Sequence, residues 1–144
     1  DKHVNKLEPR KRTFHTINPA MMLKNGKPYV VYGTQGGEVQ PQTQAAVLTR
    51  IIDFGLPVQS AIEAPRWNWA RGGAWGATES ALSMESRWPK DVIDELVRRG
   101  HPAKAIEAGY TDFMGTAGAI LVEPDTDIKR AGADPRGDGA AVGY

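Results

Sequence analysis

The residues best suited to chemistry lie between Tyr32 and Gln44, in the stretch YGTQGGEVQPQTQ. A run of apolar β-formers precedes it and a helical pattern, AAVLTRIIDF, follows it. Gly36 and Gly37 therefore stand where a strand hands over to a helix. Lacking a Cβ, glycine lets backbone N–H groups come close to a ligand oxygen, and the start of a helix favours negative charge. Adjacent exposed N–H groups of this kind form anion sites. A simple turn would account for the pair equally well. No Lys-Ser or Lys-Thr follows the glycines, so the stretch is not a phosphate loop.

Other chemistries find little support. The three histidines, His3, His15 and His101, share no spacing that would place two on one face, so no metal site and no metal cofactor is expected. Cysteine is absent, which removes disulfides, thiolate nucleophiles and Cys-type zinc sites together. Serine-hydrolase, zinc-protease and nucleotide motifs do not occur. Arg10, Lys11 and Arg12, with Lys2 and Lys6, form a basic arm that could meet phosphates beside Trp67 and Trp69. The net charge of +1 argues for a solvated arm instead, and no nucleic-acid partner is expected. Trp67, Trp69, Trp75 and Trp88 read as core or interface anchors. Arg136-Gly137-Asp138 spells an adhesion tripeptide, which a turn explains. No apolar run approaches the roughly 20 residues of a membrane-spanning helix, and no membrane partner is expected.

The elements that must position the glycines follow from pattern. The chain has 144 residues, 40% hydrophobic and 24% charged, enough for one domain with a core. Residues 1–19 read as extended or loop. Asn25-Gly26 between two short apolar runs predicts a tight antiparallel hairpin, with the glycine pair at the end of its second strand. A helix is expected from about Pro41 to Phe54, with Val47, Leu48, Ile51 and Ile52 on one face and Gly55 as its stop. A short helix follows Pro57. The aromatic-rich middle suggests strands around an irregular loop. A third helix follows Pro89, with Val92, Ile93, Leu96 and Val97 as its stripe, and a last strand pair is expected around 114–135. The expected class is α+β.

Several segments, in order, resemble one family. KRTFHTINPAM, KNGKPYVVYGTQGG, a helix ending IIDFG, then QSAIEAPRW, VRRGH and GADPRGDGAAVGY are similar to the γ-glutamyltranspeptidases. The similarity lies in the C-terminal part of the small subunit, and is greater to the glutathione-hydrolase-like and acylase-like members. It implies an N-terminal-nucleophile hydrolase with an αββα sandwich, antiparallel strands flanked by helices. The precursor of such enzymes cuts itself, and the new N-terminal threonine attacks a γ-glutamyl amide to give an acyl-enzyme. The resemblance assigns Gly36 and Gly37 to the oxyanion hole through their backbone N–H groups. It places His15 and Thr16 where well-studied members carry a serine pair for the substrate's α-carboxylate. With that pair altered, glutaryl-type amides stand beside γ-glutamyl ones as expected substrates.

The nucleophile of the family lies well upstream of KRTFHTINP. Residues 1–144 are therefore expected to be the C-terminal part of the small-subunit domain, lacking the nucleophile-bearing segment and inactive alone. The expected partners are the upstream large-subunit portion of the same precursor and a small acyl-amide substrate, with self-association of the isolated piece. The contrasting expectation is a non-catalytic binding or scaffold member of the same fold.

Overall fold

The computed structural model describes residues 3–13, 15–70, 72 and 79–143. Asn25 and Gly26 both take positive φ, 52° and 77°, closing the expected two-residue hairpin between β1 (Ala20–Lys24) and β2 (Lys27–Gln35). Strand β2 then pairs antiparallel with β6 (Thr116–Val122), and β6 with β7 (Lys129–Ala133), giving a sheet of order β1-β2-β6-β7. Period-two alternation sorts its residues. Val30, Ala117 and Ala119 face inward, while Val31 and Ile120 lie opposite each other on the outer face.

Two helices cover the inner face. Helix α1 (Gln40–Ile52) contributes Val47 and Ile51, and α2 (Val58–Glu63) contributes Val58, Ala61 and Ile62. These residues close one core with Val30, Ala117 and Ala119. Each fully buried valine or isoleucine in it stabilises the fold by about 1.5–3 kcal/mol. Gly55 ends α1's excursion at φ 64° and Gly100 ends α3 (Lys90–Arg98) at φ 87°. The stripe of α3 is shallower than its pattern suggests: no residue of the helix is fully buried and Val97 is 52% exposed.

A second sheet, β3 (Trp67–Ala70), β4 (Ala81–Met84) and β5 (Ala103–Ala105), has β5 parallel to β4. Three residues, AKA, offer no alternation to read, which is why β5 has no counterpart in the sequence reading. Trp67 and Trp88 are half-buried and Trp69 is exposed; Trp75 lies outside the described residues.

The two sheets meet around a cluster of buried charge. Arg66 precedes β3, Glu85 follows β4, and Asp134 and Arg136 follow β7; all four are buried. Glu85 accepts from Arg136 Nε and Nη2, both at 2.6 Å, and from Arg66 N and Arg87 Nη2, both at 2.9 Å. Asp134 pairs with Arg66 at 2.5 Å and accepts from Arg136 Nη1 at 3.0 Å and Ala117 N at 2.7 Å. The arginines also donate to the carbonyls of Ile62, Ala64, Met114 and Gly115. Tyr110 shields the outer side, its ring 3.8 Å from the Arg87 guanidinium carbon and 5.1 Å from that of Arg136. Two cations and two anions thus leave water together with nearly every polar atom partnered. Arg66 Nε is the exception among the described residues. The turn here runs from Asp134 to Gly137, closed by Gly137 N donating to Asp134 O at 3.2 Å, and its Arg136 belongs to this interior.

Removing one member strands a buried charge, at a cost of about 3–5 kcal/mol. Glu85→Ala should lower the unfolding free energy by that order in urea titrations. An unchanged midpoint would show that the cluster adds nothing to the junction of the sheets.

Candidate active site

The end of β2 builds the site. Gly36 has φ 138° and Gly37 φ 54°, values that side chains rarely adopt, and a 3-10 turn over Gly37–Val39 leads into α1. The pair differs in surroundings. A Cβ on Gly36 would meet Val39 Cγ2 at 2.6 Å and the Cα of Gly115 at 2.9 Å. A Cβ on Gly115 would in turn meet Gln35 O at 2.6 Å. The two chains therefore touch backbone to backbone. A Cβ on Gly37 would meet nothing within 4 Å.

Gly115 is itself held from behind. Arg66 Nη1 donates to its carbonyl at 2.6 Å, and the hydroxyl of buried Thr43, on α1, donates to the neighbouring carbonyl of Met114 at 3.0 Å. Burial, then the charge of Arg136, pulls the Arg66 pKa down to about 10 against the opposing pull of Asp134, so Arg66 stays charged at neutral pH. The charge cluster reaches the glycine turn through the carbonyls of Met114 and Gly115.

In front of the turn lies an open cleft of about 590 Å³. Thr16, Asn18, Thr34, Gln35 and Gln40 line it together with Gly36 and Gly37. The structure thus brings together three of the four residues that the sequence singles out: Thr16, Gly36 and Gly37. His15 is exposed beside Thr16 and is not part of the lining. Asn18, Thr34, Gln35 and Gln40 were not anticipated, although Asn18-Pro19 and Gln40-Pro41, each polar residue standing before a proline, mark two of them.

The lining has a consistent chemistry. Among the described residues it sets hydroxyls, carboxamides and backbone amides beside the apolar Ile17 and Pro19, and holds no carboxylate, imidazole or amine. The helix dipole of α1 adds partial positive charge at the same end. Such a surface can orient a carbonyl and stabilise an oxyanion, but it holds no group suited to take a proton near neutral pH. No group of three His, Cys, Asp or Glu among the described residues could hold a metal. In the basic arm, Lys6 and Lys11 both pair with Glu8, at 2.7 and 3.4 Å.

Residues 1–144 match the gamma-glutamyltranspeptidase family along their whole length. The chain belongs to that family. It is 51% identical over 143 residues to the glutathione hydrolase-like YwrD proenzyme of Bacillus subtilis, covering 99% of this chain and 26% of that protein. It is 42% identical over 142 residues to the oxamate amidohydrolase proenzyme of Klebsiella pneumoniae, again covering 99% and 26%. Among solved structures, cephalosporin acylase from Bacillus halodurans superposes with a TM-score of 0.77 at 35% identity, over 99% of this chain and 26% of the acylase. The γ-glutamyltranspeptidase of Helicobacter pylori, as its T380A mutant, gives 0.71 at 29%, over 91% of this chain and 66% of that one. The chain spans about a quarter of the length of the curated relatives it matches. The expected α+β class, with antiparallel strands and flanking helices, is what the fold and these neighbours show. The relatives of this γ-glutamyltranspeptidase-family chain are hydrolases, acylases and transpeptidases, several named as proenzymes.

The glycine geometry separates two substitutions that look alike in sequence. Gly37→Ala faces only the backbone cost of positive φ, about 1–2 kcal/mol. Gly36→Ala adds a clash with backbone, a further 1–3 kcal/mol or so. Denaturant midpoints should rank wild type above Gly37→Ala above Gly36→Ala; equal losses would contradict the packing of Gly36 on Gly115.

Proposed function

We propose that this chain is the C-terminal part of the small subunit of a self-processing amidohydrolase or acyltransferase whose nucleophile, an N-terminal threonine, lies outside residues 1–144. The observation that supports this reading most is the cleft at the glycine pair, where bare backbone amides stand beside uncharged hydroxyl and carboxamide groups and, among the described lining residues, no base. In the proposed reaction the threonine hydroxyl attacks an amide carbonyl, with its own α-amine as proton acceptor. The negative charge that develops on the carbonyl oxygen is met by the N–H groups of Gly36 and Gly37, at about 3 Å in the transition state. The C–N bond breaks, the amine leaves with the proton, and water or another amine then takes the acyl group from the threonine.

His15 and Thr16 are proposed to meet the carboxylate end of the acyl group. A histidine and a threonine bond an anion with a different reach from two serine hydroxyls. γ-Glutamyl and glutaryl amides are therefore the substrates to compare. The nucleophile-free 144-residue chain should turn over neither.

The outer face of the four-stranded sheet supports the wider assembly. Met21, Val31, Ile120 and Ala131 stand in one row across its strands, with Met21, Val31 and Ile120 at 55%, 36% and 40% exposure. In the proposed sandwich the remainder of the precursor covers that face.

Two measurements test the reading. Intact mass of the full-length protein, with N-terminal sequencing, should give two pieces, the smaller beginning with threonine or serine; a single uncut chain would overturn the self-processing enzyme. Light scattering of the isolated 144-residue chain should show oligomers that Val31→Lys with Ile120→Lys disperses. A clean monomer of the unmodified chain at high concentration would argue against a covered sheet face.

A further inference from the structure

The stretch Thr16–Asn18 forms one wall of the cleft yet belongs to no strand or helix, and its three residues are exposed. Its position must be set by something other than a backbone ladder. Two glutamines one helical turn apart on α1 supply the contacts. Gln40 is only 8% exposed. Its Oε1 accepts from Asn18 Nδ2 at 3.1 Å and its Nε2 donates to Thr16 O at 3.2 Å. Gln44 Nε2 donates to Asn18 O at 2.9 Å. Residues four apart on a helix share a face, so the three bonds come from one side of α1.

We propose that Gln40, assisted by Gln44, is a positioning residue that sets the Thr16–Asn18 wall at a fixed distance from the Gly36–Gly37 turn. Gln40 lies three residues beyond Gly37, on the helix that the turn itself starts. One rigid element therefore holds both the glycine amides and the opposite wall. At neutral pH a carboxamide suits this position: it gives a donor to the Thr16 carbonyl and an acceptor to the Asn18 amide at once. A carboxylate could only accept, and an aliphatic side chain could do neither. Misplacing a substrate-orienting wall by a fraction of its clearance is enough to weaken binding of the group it orients.

The kinetic consequence rests on the acyl-amide reading above, whereas the structural consequence does not. Both are measured on the full-length protein. With γ-glutamyl- and glutaryl-p-nitroanilide as substrates, Gln40→Leu should raise KM about tenfold while kcat moves less than about threefold, as loss of two neutral hydrogen bonds predicts. Gln40→Glu should show a raised KM at about pH 8 that falls back toward the wild-type value, measured at each pH, as the pH is lowered. Burial beside the Thr16 carbonyl raises the introduced carboxyl above its ordinary value of about 4.3 and, once protonated, it again donates to that carbonyl. A residue that merely stabilises the fold would lower the melting temperature without that pH-dependent recovery.

Thermolysin reads the wall without any catalysis. It should cut the Thr16–Ile17 bond of Gln40→Leu about tenfold faster than that of the wild type under native conditions, with cleavage elsewhere unchanged, since cleavage follows local opening. If Gln40→Leu does not fold, Gln44→Ala should give the same change at about threefold, as one bond is lost instead of two. Equal cleavage of variant and wild type overturns the proposal, and so does an unchanged KM in an active enzyme. If the wild type hydrolyses neither amide, the acyl-amide reading fails for these substrates and the cleavage rates alone decide the positioning role.

Discussion

The hydrogen bond from Arg66 to the Gly115 carbonyl is the contact on which the remaining architecture converges. Behind it stands a neutral set of buried charges, Arg66, Glu85, Asp134 and Arg136, drawn from three separate stretches of chain. Burying charge is costly, and an apolar replacement of the same shape often serves stability as well. What an apolar cluster would lack is direction. Guanidinium groups bond in fixed planes, so the cluster specifies where the 62–66, 85, 114–115 and 134–136 backbones lie relative to one another. In front of it Gly115 meets Gly36 with no side chain between them, so the location of the charges becomes the location of the turn.

That construction separates what must be rigid from what must be chemically mild. The ionised groups stand behind the glycine turn, in the protein interior. Among the described residues, the surface facing the cleft is uncharged, with hydroxyls, carboxamides and peptide groups set beside the apolar Ile17 and Pro19. Buried Arg66 holds the Met114 and Gly115 backbone in place while its own charge stays in the interior.

The sequence made some of this legible and concealed the rest for physical reasons. Asn25-Gly26 specified the hairpin because few residues tolerate two successive positive φ values. The apolar spacing of Val47 and Ile51 specified which side of α1 is buried. The glycine pair was visible as a feature, but not the inequality of its members, since the neighbour that distinguishes them, Gly115, is far away in sequence. Nothing in the sequence marks Arg66, Glu85 and Arg136 as buried, because charge is ordinarily exposed, and only the third dimension shows that they neutralise one another. Gln40 and Asn18 escaped notice for a related reason: carboxamides carry no chemical signature until their partners are in place.

The back-to-back glycines also have an evolutionary meaning. A side chain on Gly36 is excluded by Val39 and by the backbone of Gly115, and one on Gly115 by the Gln35 carbonyl, Thr34 and Val39, so neither glycine has room to grow without moving backbone. Variation in what this cleft accepts must then enter from the opposite side, through the unladdered Thr16–Asn18 wall and the open space around Gly37. One wall of the cleft is thereby tightly constrained by its backbone neighbours, and the other is open to change.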